Sequence, residues 1–289
     1  MTSADSPRHR FRSALDSGEI VVAPLTLEPV VARLTESLGF GAGYVSGGAL
    51  GYSLAVSEAL LSVHELATVV HQLTQRSNLP IIVDGGVGFG DPVHVTRAMW
   101  EFEAAGAAAV ELEDQVAPKR VSHHRGIEHL VSTAEMVAKI EAAVAARRDP
   151  DFLIIARTGG IRHEGLDAGL ARADAYRAAG ADVLLLFPAD EQQYAELPGR
   201  FDVPLAAMVG VDAHSPAKLG ALGWSLLIDP FTGQVVAYDA VRAAYASIAQ
   251  SGGSGHDFKA LMSTYRDLPT MAGLEELYDI ERRTTEPGT

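Results

Sequence analysis

A (β/α)8 barrel is the fold that this 289-residue sequence predicts, and three observations predict it. Short β-rich runs alternate with longer stretches of helical period from about residue 19 to residue 252. Eight such runs can be counted: Glu19–Leu25, Gly43–Ser46, Pro80–Asp84, Ala108–Glu113, Phe152–Arg157, Asp182–Phe187, Pro204–Met208 and Ser225–Asp229. The same joint from helix to strand recurs as Glu103-Ala-Ala-Gly106, Arg177-Ala-Ala-Gly180 and Ala221-Leu-Gly223. Glycine just past a helix takes the left-handed conformation that turns the chain back towards the sheet. An open doubly wound sheet also alternates, but it carries a glycine-rich turn after its first strand, and here that strand runs into Pro24-Leu25-Thr26.

The helical stretches follow in order as Pro92–Ala105, Ser132–Arg148 and Leu166–Ala179. Ser132 and Glu135 have the spacing of a capping box, in which two side chains satisfy free backbone donors. Ser251-Gly-Gly-Ser-Gly255 reads as a joint. It separates a barrel with a short N-terminal extension, 1–252, from a helical extension, 253–289, holding the stretches His256–Asp267 and Gly273–Arg283. Phe258, Leu261, Met262, Leu274, Leu277 and Tyr278 in that extension need a surface to cover, which predicts a homo-oligomer, dimer or tetramer. The last residues, Thr284–Thr289, are expected to fray.

Composition narrows the function. With 47% hydrophobic and 21% charged residues the chain folds. A formal charge of -14 disfavours nucleic acid and anionic lipid as partners. The absence of cysteine excludes disulfides, thiolate metal sites and a cysteine nucleophile. The N-terminus has no apolar h-region and no run reaches the roughly 18 residues of a membrane helix, so a soluble cytoplasmic protein is expected.

Barrel enzymes work at the C-terminal ends of their strands. There the third, fourth and fifth runs end on Asp84, Glu113 and Arg157. Two carboxylates and a guanidinium at one mouth can hold a hard divalent ion and clamp a carboxylate substrate, or else simply neutralise one another. The run Asp84-Gly-Gly-Val-Gly-Phe-Gly90 and the pair Gly159-Gly160 can present amides to an anion or be plain turns. The loop Gln115–Val131 is long enough for a lid and carries Lys119, Arg120, His123, His124 and Arg125.

The segments Tyr44-Val-Ser-Gly-Gly48, Ile82-Val-Asp-Gly-Gly-Val-Gly-Phe-Gly90, Val110-Glu-Leu-Glu-Asp-Gln115, Pro118-Lys-Arg-Val-Ser-His123 and Asp149–Thr158 resemble the isocitrate lyase and phosphoenolpyruvate mutase superfamily, methylisocitrate lyases in particular. The resemblance implies a barrel that binds Mg2+, or Mn2+ in its place, and a small 2-oxo or 2-hydroxy carboxylate. It also implies tetramers that exchange a C-terminal helix. By the same likeness Asp84 and Glu113 are the metal residues, Glu113 through water, and Arg157 clamps the substrate. Tyr44, Ser46, Gly47 and Gly48 cradle the keto acid together with Asp84.

Other motif positions depart from that pattern. The second metal aspartate is Gly86, the lyase loop's proton-donating cysteine is Val121, the aspartate after Arg157-Thr158 is Gly159, the glutamate after Phe187-Pro188 is Ala189, and a later asparagine is placed at Ala207. Another proton donor is then required, with His123 or Glu58 nearest by motif position and Lys119 beside them. The expectation is an enzyme that cleaves or forms a carbon–carbon bond in a small 2-hydroxy or 2-oxo acid. Carbon–phosphorus chemistry on phosphonopyruvate, or a barrel without catalysis, stands as the alternative.

Overall fold

All eight runs form strands and all pair in parallel. In the computed structural model, which describes Ser6–Glu286, they are β1 (Val21–Pro24), β2 (Gly43–Val45), β3 (Ile81–Asp84), β4 (Ala109–Glu113), β5 (Leu153–Arg157), β6 (Val183–Leu186), β7 (Leu205–Met208) and β8 (Leu226–Asp229). Strands β2 to β8 lie side by side in sequence order, and β8 pairs with β1. The gap between β1 and β2 is bridged by Leu25 and Tyr44, with Thr26 N donating to Tyr44 O at 2.8 Å, which closes the barrel. Gly106, Gly180 and Gly223 all take positive φ, +92°, +102° and +96°, as the recurring joint requires.

The helices form where expected, as Pro92–Ala104, Thr133–Ala146 and Leu166–Ala178. Ser132 caps the second by accepting from Glu135 N at 3.2 Å. A reciprocal capping box is built by Ser62 and Glu65 at the start of the helix Val63–Thr74.

Strand side chains alternate between two layers. One set, including Val83, Val110, Ile154 and Leu184, packs outward against Met99, Phe102, Met136 and Tyr176 of the helices. The other, including Ala23, Ile82, Ala109, Ile155, Leu185 and Ile228, fills the barrel. This inner layer is sealed by the N-terminal extension, which is the helix Pro7–Asp16 with Phe11 and Leu15 buried in it. Two apolar residues four apart give the helix a single narrow face. Its arginines stay at the rim, Arg8 pairing with Asp149 at 2.9 Å and Arg12 with Asp182 at 3.1 Å.

The barrel unit ends at Thr232. The second unit starts at Gly233 and contains most of the helix Thr232–Ser251, then Phe258–Met271 and Leu274–Thr284. None of the three helices has a buried residue, and Tyr238, Tyr245, Phe258 and Tyr265 are exposed. Of the end expected to fray, Thr284 still belongs to a helix, and 287–289 lie outside the described residues. Among the described residues no helix is long and apolar enough to cross a membrane.

Candidate active site

Alternation along β4 aims Glu111 and Glu113 at the same inner face. Strand register then sets Asp84 beside Glu111 and Glu113 beside Arg157. Arg157 spends its guanidinium on both glutamates, Nη1 donating to Glu111 Oε1 at 2.9 Å and Nη2 lying 3.1 Å from Glu113 Oε2. Tyr44 sits below, and its hydroxyl donates to Glu111 Oε2 at 2.8 Å. Glu111 is absent from the sequence expectations. Its signal was present, because residues two apart on a strand share a face and Glu113 was already chosen.

Across the mouth, β2 runs into the helix Gly47–Ser53. Ser46 Oγ caps it by accepting from Ala49 N at 3.2 Å. Gly47 N donates to Asp84 Oδ2 at 3.0 Å, and Gly86 N to Asp84 Oδ1 at 2.9 Å. A Cβ at position 47 would fall 2.9 Å from Glu58 Oε2 and 3.1 Å from Asp84 Oδ2. Glycine is therefore what lets the backbone meet both carboxylates, and Gly48 follows it in the same helix.

The loop after β4 is folded over this mouth. Its base is held by an antiparallel bridge between Gln115 and Leu130, and Gln115 Nε2 donates to Glu113 Oε2 at 3.0 Å. Lys119 turns inward with Nζ 2.8 Å from Glu58 Oε1 and 2.6 Å from Glu113 Oε1. His123 donates from Nδ1 to Arg120 O at 2.7 Å and pairs through Nε2 with Glu58. His124 stacks on it at 3.9 Å and bonds Tyr52 Oη and Ser57 Oγ, each at 3.0 Å. Val121 is 56% exposed, so this position faces solvent and not the pocket.

Four carboxylates, Glu58, Asp84, Glu111 and Glu113, thus share a small space with Lys119, Arg157 and His123. Burial, reinforced by the charge on Glu58, raises Asp84 above the usual carboxylate range, against the pull of Lys119. Burial lifts Glu111 to about 7 despite Arg157. Glu113 feels the same burial, but Arg157 and Lys119 outweigh it and hold it low. Glu58 is likewise buried, yet its bonds to His123 and Lys119 bring it down to about 2. Burial works against charge on Lys119 and on His123, but the carboxylates raise the first and Glu58 raises the second. Lys119 therefore stays protonated at neutral pH, and His123 is biased towards its protonated form.

A cavity of about 150 Å³ opens beside Asp84, lined also by Gly86, Phe89, Glu58 and Lys119. A Cβ at Gly86 would meet nothing within 4 Å, so open space stands where the resemblance puts a second aspartate. Among the described residues no three His, Cys, Asp or Glu side chains converge into a ready-made metal cage. The donor set nevertheless suits Mg2+, which keeps several waters and needs only one or two carboxylates plus substrate oxygens. Asp84 fits that part, since the crowding that raises its pKa is what a divalent cation relieves. Glu113 is already held by Lys119, Arg157 and Gln115, which leaves it an indirect contact.

The opposite wall differs. Asp114 is buried and accepts from Thr158 Oγ1 at 2.6 Å, Gly159 N at 3.1 Å and Tyr176 Oη at 2.9 Å, which fixes the turn after β5. Ala207 does not face the pocket. It belongs to the outer layer against the helices, while Met208 packs with the inner layer. Strand alternation makes Met208, one residue later, the inward position of β7.

A closed parallel barrel whose charges gather at the C-terminal mouth under a folded-over loop defines a (β/α)8 enzyme. A family model described as phosphoenolpyruvate phosphomutase matches residues 11–249. A 2-methylisocitrate lyase of Aeropyrum pernix is 35% identical over 284 residues, which is 96% of this chain and 89% of that protein. A 2,3-dimethylmalate lyase of Eubacterium barkeri is 32% identical over 283 residues, 94% of this chain and 96% of that protein. The solved structure of a phosphonopyruvate hydrolase with oxalate and Mg2+ is 31% identical, covers 97% of this chain and 99% of its own, and has a TM-score of 0.86. The chain belongs to the phosphoenolpyruvate phosphomutase family, within the PEP mutase/isocitrate lyase superfamily, and stands among its carbon–carbon lyases.

Proposed function

We propose that the chain breaks a carbon–carbon bond in a small 2-hydroxy carboxylate and releases a 2-oxo acid, with Mg2+ as its metal and Mn2+ able to replace it. The observation that carries this reading is the lid clasp: Lys119 binds both Glu58 and Glu113, His123 binds Glu58, and Glu113 is held from its other side by Arg157. The backbone of Ser46–Gly48 and Arg157 hold the 2-oxo acid end; the 2-hydroxyl gives its proton to a carboxylate of the mouth, and the guanidinium stabilises the alkoxide, whose collapse to the oxo group breaks the carbon–carbon bond. When the bond breaks, the electron pair leaves with the other fragment, which then needs a proton. His123 carries one on each ring nitrogen, facing Arg120 O and Glu58. Lys119 and Glu58 keep the lid shut and hold that imidazole in place. Mg2+, when bound, supplies positive charge to the oxygens of the 2-oxo acid, with Asp84 holding it directly and Glu113 through water.

Phosphonopyruvate hydrolysis, the activity named for one structural relative, would release inorganic phosphate, and this reading predicts none. We also propose a homo-oligomer, dimer or tetramer, in which the exposed aromatic residues of the C-terminal helices are covered; sedimentation as a monomer would refute it.

Calorimetric titration of Mg2+ with oxalate, a stable mimic of a 2-oxo acid enolate, tests the core of the reading. Binding that needs both the metal and Asp84 is expected, with Asp84→Ala silent. A wild-type protein that ignores oxalate, or an Asp84→Ala variant that binds it equally, would overturn the proposal. His123→Gln should abolish turnover while oxalate still binds, and full activity there would remove His123 as donor.

A further inference from the structure

We infer that Arg162 is a specificity-determining residue that receives a second, distal carboxylate of the substrate; the inference rests on the enolate-type reading of the same site. Arg162 lies on the short helix Gly160–Glu164, just after β5. Its guanidinium carbon stands 4.1 Å from the centre of the Phe187 ring, and that of Arg157 stands 5.2 Å from the same centre. Phe187 packs with the inner layer and follows directly on β6, so the ring belongs to the C-terminal mouth. One phenyl ring therefore carries two cations, and the two are not equivalent. Arg157 is neutralised by Glu111 and Glu113. Arg162 has no carboxylate within salt-bridge reach among the described residues.

The acid best placed to serve it is engaged elsewhere. Glu128, on the lid loop, bonds His163 Nε2 at 3.0 Å. Gly159 permits that pairing, since a Cβ there would lie 2.7 Å from Glu128 Oε2. Arg162 itself is exposed at the mouth, and the desolvation it does meet pushes its pKa down, although Glu128 opposes the shift. Beside it Phe187, a member of the inner apolar layer, supplies apolar surface. A chain of carbons can lie along Phe187 with one carboxylate at Arg157 and the other at Arg162. Arginine suits that end because its planar fork binds a carboxylate through two hydrogen bonds. The class of substrate that fits is a four-carbon or longer 2-hydroxy dicarboxylate.

The test compares three probes in the presence of Mg2+, by calorimetry, on wild type, Arg162→Gln and Arg162→Lys. Oxalate reaches only the enolate end, lactate is a 2-hydroxy monocarboxylate, and malate adds the distal carboxylate. Wild type should prefer malate to lactate, and Arg162→Gln should weaken malate by about ten- to a hundredfold while leaving oxalate and lactate unchanged. Arg162→Lys should recover part of the loss. Equal affinity for malate and lactate in wild type, an unchanged malate affinity in Arg162→Gln, or a parallel loss of oxalate would each overturn the inference. Failure of wild type to bind oxalate sinks the enolate reading itself, and that result is distinct from oxalate binding without discrimination between malate and lactate.

Discussion

At the N-terminal end of the barrel, Phe11 and Leu15 close a dry interior of Ala23, Ile82 and Ile155. At the C-terminal end the same strands finish on Asp84, Glu113 and Arg157, with Glu111 one step below. The lower end buries apolar area and needs nothing more from its residues than shape. The upper end buries four carboxylates that repel one another, and it stays folded because Arg157, Lys119 and His123 are set among them. A strand only five residues long serves both: Ala109 in the packed layer, Glu113 in the mouth. Stability and chemistry are therefore separable along a single strand, and substitutions at the two ends should differ in kind.

Arg157→Gln should break the upper end most severely. It removes the charge meant for the 2-oxo acid and leaves Glu111 and Glu113 without their shared cation. We expect oxalate binding to disappear and turnover to fall by about a thousandfold, an order set by the loss of a charge-stabilising donor. Retained oxalate affinity would mean that the charge cluster is only structural. Phe11→Ala is the counterpart below. It should cost about 3–5 kcal/mol in urea unfolding, as for other buried phenylalanines, with oxalate affinity unaltered at low urea. A loss of affinity without a loss of stability would contradict the separation of the two ends.

Glu58→Gln sharpens the comparison through pH. Glu58 holds the His123 pKa above its ordinary value, so the protonated form persists until pH rises through that raised value. If His123 is the donor, activity falls along that alkaline limb, and in Glu58→Gln the limb should move to lower pH in the rate profile. The same linkage affects stability. The His123 contribution is complete below the ordinary histidine pKa and fades as pH rises through the raised one. The Glu58 contribution is present above the ordinary carboxylate range and is lost as pH falls through about 2. Ser132→Ala, away from both ends, should cost only about 1 kcal/mol for a lost helix cap and leave the pH profile as it was. A changed profile there would show coupling between the helix layer and the mouth.

Much of the fold was legible because it is local. Strand periodicity, glycine at helix ends and the capping serine each report on a few neighbouring residues, and all eight strands formed where the pattern set them. Asp84, Glu113 and Arg157 were legible for a related reason: charge at the end of an apolar strand stands out. Glu111 was missed because only the charge that ends the strand was singled out, although its spacing of two from Glu113 puts both on one face; its pairing with Tyr44 and Arg157 is what gives it a place in the site. Ala207 was misplaced by one residue, since facing depends on register and not on the motif alone.

The sequence by itself thus determined the order of strands and helices, the acidic charge, and which charged residues end which strand, because these follow from short-range pattern and composition. The tertiary structure decided what the pattern leaves open. It set which face each strand residue shows, the seating of Phe11 beneath the barrel, the reach of Lys119 and His123 to Glu58, and the meeting of Arg157 and Arg162 over Phe187. Those partners lie far apart in the chain, and only closure of the barrel brings them within bonding distance.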